Sequence, residues 1–285
     1  MSENSKFIVS AEWLSDHWND PGVSIVDASW YLPAMGRDAR AEYDEAHIPG
    51  AHFFDQDVIA DTSSGLPHTV PSPALFERHV SAMGIARDDT IIVYDGPGYF
   101  SAPRVWWLFR TMGATKVMVL DGGLDGWKKE GRFVTDKPTM CAPTAFVPIF
   151  DASKIISFEG MLGTVEGQDT QIADARGLGR FTGDEPEPRE GMRSGHMPGA
   201  HCVHYATLAP GGYLLDLPAL RQLITDAGID PDQPVVTTCG SGVTAAVITL
   251  ALASLGNEET RLYDGSWAEW GARQDTPIDQ GPSQT

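Results

Sequence analysis

Short β-branched and aliphatic runs alternate along the chain with stretches of helical period, the rhythm of an α/β domain built on a mainly parallel sheet. Ser24-Ile25-Val26-Asp27, Thr90-Ile91-Ile92-Val93-Tyr94 and Lys116-Val117-Met118-Val119-Leu120 read as strands in the first half. Gln171-Ile172-Ala173-Asp174, Val235-Val236-Thr237-Thr238 and Thr260-Arg261-Leu262-Tyr263 are their counterparts in the second. A helix fits between the last two strands of each set, Pro103 to Met112 and Thr244 to Leu255. Gly113 and Gly256 close them, because a glycine past the last turn takes the left-handed conformation that ends a helix. The stretch from Gly131 to Phe150, with Pro138, Pro143 and Pro148, has no period and reads as a linker.

The two sets are copies. Val26-Asp27-Ala28 answers to Ala173-Asp174-Ala175, Ala46-His47-Ile48-Pro49-Gly50-Ala51-His52 to Gly195-His196-Met197-Pro198-Gly199-Ala200-His201, and Asp121-Gly122-Gly123 with Trp127 to Asp264-Gly265-Ser266 with Trp270. Their offsets of 147, 149 and 143 residues are too long for a solenoid and suit a duplicated domain. The expected architecture is therefore two tandem α/β domains, each a mainly parallel sheet flanked by helices, over 1–150 (linker included) and 151–285. Ile91-Ile92-Val93-Tyr94-Asp95-Gly96 aligns with Val235-Val236-Thr237-Thr238-Cys239-Gly240, which sets an aspartate against a cysteine. The chemistry is expected in the second copy, with the first as a catalytically silent scaffold.

Cys239 ends a strand and is followed by Gly240-Ser241-Gly242-Val243-Thr244-Ala245, which opens an apolar helix. Glycines let such a loop curl its N–H groups toward one point at a helix N-terminus, an environment that favours sulfur as a thiolate. Composition narrows the partners of that thiolate. A formal charge of −19, from 39 acidic and 20 basic residues, disfavours nucleic acid and anionic membranes. Three cysteines without a Cys-x-x-Cys spacing, among scattered histidines, argue against a disulfide framework and a metal site. There is no Gly-x-Gly-x-x-Gly after a strand and no Walker loop, so a nucleotide cofactor is not expected. Met1 to Phe7 has neither a basic nor an apolar leader character, and a cytoplasmic protein is the expectation.

The loop Cys239-Gly240-Ser241-Gly242-Val243-Thr244-Ala245 resembles the active-site loop of the rhodanese superfamily, in its wording that of the 3-mercaptopyruvate sulfurtransferases, and the resemblance covers nearly the whole chain. It implies two tandem rhodanese-like domains with the active site in the cleft between them. The implied reaction moves sulfur from 3-mercaptopyruvate to a thiol or cyanide through a persulfide on Cys239, releasing pyruvate without a metal or organic cofactor. The implied acceptors are a small thiol, cyanide or a thioredoxin-like protein. Thiosulfate sulfurtransfer and a persulfide relay to a protein partner are the alternatives. Basic residues after the cysteine, which suit thiosulfate in that family, are replaced here by neutral Gly240 and Ser241. The loop also lacks the terminal arginine of a related phosphatase group.

Further site residues follow from the same likeness. Arg180 and Arg189 match the arginines that hold the substrate carboxylate and ketone, for which a planar guanidinium fork is suited. On the residues alone, pairing with Asp184, Glu185, Glu187 and Glu190 on a solvated loop is the competing account, and Arg176 is expected to be structural. Gly240, Gly242, Val243 and Thr244 are counted with the arginines as substrate-binding positions. Ser241, His47 and Asp38 match a Ser-His-Asp arrangement completed across the cleft. Cys202, at the repeat position of Phe53, is expected to be buried and inert, and Cys141 to lie in the linker.

Overall fold

Ten short strands form two sheets in the computed structural model, which describes residues 5–283. The first sheet contains β1 (Ile8–Val9), β2 (Val23–Asp27), β3 (Ala51–Phe53), β4 (Thr90–Tyr94) and β5 (Val117–Leu120) in the order β1-β5-β4-β2-β3. The second contains β6 (Ile155–Ile156), β7 (Gln171–Asp174), β8 (Ala200–Cys202), β9 (Val235–Thr238) and β10 (Thr260–Tyr263) in the order β6-β10-β9-β7-β8. Every pairing is parallel. β4 and β9 lie in the middle and are almost wholly buried, which is why they read as continuous apolar runs rather than alternating ones. Asp27 faces Phe53 and Asp174 faces Cys202 across equivalent strand pairs, so the duplication holds in register.

Two helices occupy the centre of the molecule. One spans Ala102–Thr111 and the other Ala245–Ser254, capped by Thr244 and Leu255. The second is buried from Ala245 to Ala253, apolar on every side. Such a helix has no solvent face and belongs between two layers. It packs on the first helix where the halves meet, and one hydrophobic cluster runs through both. Gly113 and Gly256, at φ +94° and +101°, follow these helices as the sequence predicts.

The stretch read as a linker is an extended strap on the first domain. Thr135 bridges His47, the Thr139 hydroxyl donates to the Ala51 carbonyl at 2.8 Å, and that of Thr144 to Ile85 at 2.6 Å. Phe146 is fully buried against Phe76 and Phe109. No period is visible because the few anchoring residues, Thr135, Thr139, Thr144 and Phe146, each meet a different neighbour. Cys141 is exposed; Cys202 is half-buried rather than buried, and desolvation pushes its thiol up to about 11. Among the described residues no helix is long and apolar enough to cross a membrane.

Candidate active site

Cys239 follows the last residue of β9, at the carboxyl end of the second sheet, where open α/β sheets place their ligands. Its loop is pinned by its carbonyls. The Cys239 oxygen accepts from the Trp267 amide at 2.9 Å and that of Gly240 from Ala268 at 3.0 Å. By contrast, the N–H groups of Gly240 through Ala245 find no oxygen acceptor among the described residues. Gly242 makes the turn at φ +80°, and a Cβ there would meet Arg104 Nη1 and the Asp264 carbonyl, both at 3.2 Å.

The first copy shows what such a loop holds. Leu124 and Asp125 pin the carbonyls of Asp95 and Gly96, both at 2.9 Å, as Trp267 and Ala268 do in the other half. Here the amides are filled: Asp95 accepts from Gly98 at 2.6 Å through one oxygen, and through the other from Phe100 at 2.9 Å and from Ser101 and Ala102 at 2.7 Å. Complete burial pushes this carboxyl up, and the four amides pull against it. The first domain thus carries a built-in carboxylate where the second carries a thiol and open amides.

A cavity of about 470 Å³ lies over Cys239, walled by residues of both halves. Its lining combines the apolar Trp30 and Phe100 with the cationic Arg180 and Arg189. Glu187, nearly buried, binds Arg176 Nη1 at 2.7 Å and takes Nε and Nη2 of Arg180. Arg180 is thereby braced with its Nη1 unpaired, and Arg176 is locked inward on Asp174 and over the Trp267 ring. Arg189 makes no hydrogen bond or ion pair with any described residue. Burial lowers its pKa first, neighbouring Arg180 lowers it further, and Cys239 pulls the other way. A half-buried cation without a counter-ion, beside the cysteine, is a ready anion site.

From the first domain, His68 reaches into the same cavity. Its Nε2 lies 3.1 Å from Asp57 Oδ1 and its Nδ1 3.1 Å from Ser241 Oγ. The carboxylate can only accept, so Nε2 carries a proton, and in the neutral ring Ser241 donates its hydroxyl to Nδ1. Asp57 also accepts from Trp30 Nε1, and its pKa is held below the usual range by the His68 hydrogen bond first.

A family model described as "Rhodanese-like domain" matches residues 10–130 and again 159–273. The chain belongs to the rhodanese family. It is 39% identical over 277 residues to the 3-mercaptopyruvate sulfurtransferase of Escherichia coli K12, covering 97% of this chain and 99% of that one. It is 40% identical to the thiosulfate sulfurtransferase of Cricetulus griseus, over 97% and 96% of the two chains. The crystal structure of the 3-mercaptopyruvate sulfurtransferase SseA from Escherichia coli superposes with a TM-score of 0.85 at 37% identity, over 92% of this chain and 98% of that one.

Within this rhodanese frame the structure brings Cys239, Gly240, Ser241, Val243, Thr244, Arg180 and Arg189 to one cavity. Gly242 is not on its wall; it turns the loop and backs onto Arg104. His47 and Asp38 must be corrected. His47 is buried in its own domain, stacked on Tyr43, with Nδ1 donating to the Tyr43 carbonyl at 2.7 Å. Its repeat counterpart His196 does the same to Phe181 at 2.9 Å. Asp38 caps the helix Ala39–Glu45 by accepting from the Ala41 amide. Their expected places beside Ser241 are taken by His68 and Asp57. The usable signal was the repeat itself: His47 has a histidine at its equivalent position, as a structural residue would, whereas His68 corresponds to Gly212 and stands alone.

Proposed function

We propose that this rhodanese-family chain is a 3-mercaptopyruvate sulfurtransferase. The observation that carries the reading is the uncompensated Arg189 guanidinium, set with Arg180 beside a cysteine whose loop amides are open. Two guanidiniums suit the carboxylate and ketone of a 2-oxo acid. The Cys239 thiolate attacks the substrate sulfur, the carbon–sulfur bond breaks, and its electron pair passes to carbon as the enolate of pyruvate. The enolate oxygen is the charge that Arg180, Arg189 and Ser241 are placed to meet, and a proton delivered along Ser241 and His68 completes pyruvate. Cys239 keeps the sulfur as a persulfide whose terminal anion the amides of Gly240 to Ala245 can hold. A thiol or cyanide then attacks that outer sulfur and restores the thiolate. A thioredoxin-like protein is the finer proposal for the thiol, and a reducing cytoplasm suits the carrier.

Thiosulfate is the second reading, since a sulfonate would meet the same arginines; neutral Gly240 and Ser241 favour mercaptopyruvate. Intact-protein mass spectrometry after incubation with each donor decides. Wild type is expected to gain the mass of one sulfur from mercaptopyruvate, to lose it to a thiol, and to turn over faster than with thiosulfate and cyanide. Cys239→Ser is expected to show neither the adduct nor turnover. An adduct that survives Cys239→Ser would overturn the assignment of the carrier, and faster turnover with thiosulfate would overturn the donor.

A further inference from the structure

His68 has a backbone that a histidine seldom adopts. Its φ of +60° lies in the left-handed region, and its repeat counterpart is Gly212 at φ +85°. A side chain there is strained and persists only where the surroundings hold it. Those surroundings are one buried pair formed across the domain boundary. Arg104, on the helix Ala102–Thr111 of the first domain, is 1% exposed. Its Nη2 donates to the His68 carbonyl and to Asp264 Oδ1, both at 2.6 Å. Asp264 follows β10 of the catalytic domain, and its other oxygen accepts from the Val70 amide at 2.7 Å. The segment 68–70 is thus gripped at a carbonyl by the arginine and at an amide by the aspartate, while the two grip each other. The Arg104 guanidinium lies over the Trp107 ring at 4.7 Å, and Arg104 Nη1 approaches the Gly242 carbonyl at 3.4 Å.

The first half has the matching contact without the arginine. Leu214 donates its amide to Asp121 at 3.0 Å, and Tyr99 supplies the second donor at 2.8 Å. There the left-handed position is a glycine, and no side chain has to be aimed. The arginine therefore accompanies the one strap that carries a histidine.

We propose that Arg104 and Asp264 are positioning residues for sulfur transfer: by clamping segment 68–70 from both domains they hold His68 in its left-handed conformation with its ring on Ser241. The inference rests on the role given to His68 and Ser241 under the proposed function. Its test is the full-length protein in four forms, His68→Ala, Arg104→Met, Asp264→Asn and the His68→Ala/Arg104→Met double variant, with kcat, KM for mercaptopyruvate and the pH profile of kcat as readouts. His68→Ala is expected to lower kcat by about tenfold or more and to change the shape of the pH profile. Arg104→Met is expected to lower kcat by about tenfold with KM within about twofold, because Arg180 and Arg189 do not touch the clamp, and to change the profile in the same way as His68→Ala. The double variant should then be no slower than His68→Ala alone.

Losses that multiply in the double variant, or an Arg104→Met profile that keeps its shape, would overturn the clamp while leaving His68 in place. A His68→Ala enzyme with undiminished kcat would remove the reading on which the clamp rests. Asp264→Asn keeps the size of the side chain and should move kcat in the same direction by less. It carries the same double-variant comparison if Arg104→Met does not fold.

Discussion

At the scale of single residues, the two accounts of the arginine loop are both true of different atoms. Of the four nearby acids only Glu187 pairs with Arg180, and it does so from a buried position shared with Arg176. That brace takes Nε and Nη2 and leaves Nη1, so an ion pair which looks like surface neutralisation on paper serves to aim a cation. Gly240 makes room for it: a Cβ there would stand 3.1 Å from Arg180 Nη2. Arg180→Ala is expected to cost about 2 kcal/mol, near thirtyfold, in kcat/KM for mercaptopyruvate, the size of a lost charged hydrogen bond. The effect on thiosulfate should be smaller, because thiosulfate has no ketone oxygen to misplace. Equal losses for both donors would deny Arg180 its part in choosing between them.

The elements around the site explain what could be read from the sequence. Strands β4 and β9 were legible as short β-branched runs and the two central helices as longer stretches closed by Gly113 and Gly256, and the duplication confirmed each from the other. β1 and β6 are two residues long and β3 and β8 three, too short to show a period; only their partners in the sheet define them. Cys239 and its loop were legible because glycine spacing encodes a turn. His68 was not, since its contact with Ser241 spans 173 residues and depends on how the domains meet. The equivalent loop of the first domain offers a stability test of the same element. Asp95 satisfies four N–H groups inside the core, so Asp95→Ala should lose about 3 kcal/mol or more by chemical denaturation, as several buried donors lose their acceptor together. Asp95→Asn, which keeps one acceptor oxygen, should lose less. An Asp95→Ala protein as stable as wild type would mean that water replaces the carboxylate at no cost.

Across the whole molecule, the two central helices run from the active site to the opposite end of the domain interface, and ion pairs join the halves at both ends. Arg104 and Asp264 stand at the near end. At the far end Glu258 of the second domain accepts from Arg110 at 2.6 Å and Lys6 at 2.8 Å, both of the first domain. The far group is more open to water than the near one, since Glu258 is 39% exposed and Asp264 13%. Exposed pairs are screened and weak, so Glu258→Gln should cost less than about 1 kcal/mol and lower Tm by about 2 °C. High salt should shrink that difference. Hydrogen bonding by Lys6, followed by the charges of Arg110 and Lys6, holds the Glu258 carboxyl below its usual pKa. Its contribution is therefore full above the ordinary glutamate range and fades as pH falls below it, and thermal melts of the two proteins should converge in acid. Throughout, kcat with saturating mercaptopyruvate should stay at the wild-type value, because the far end touches neither the loop of Cys239 nor the segment of His68. If Glu258→Gln instead lowered kcat as much as Arg104→Met, the alignment of the two domains as rigid bodies would set the chemistry, and the near clamp would be only one of its fastenings.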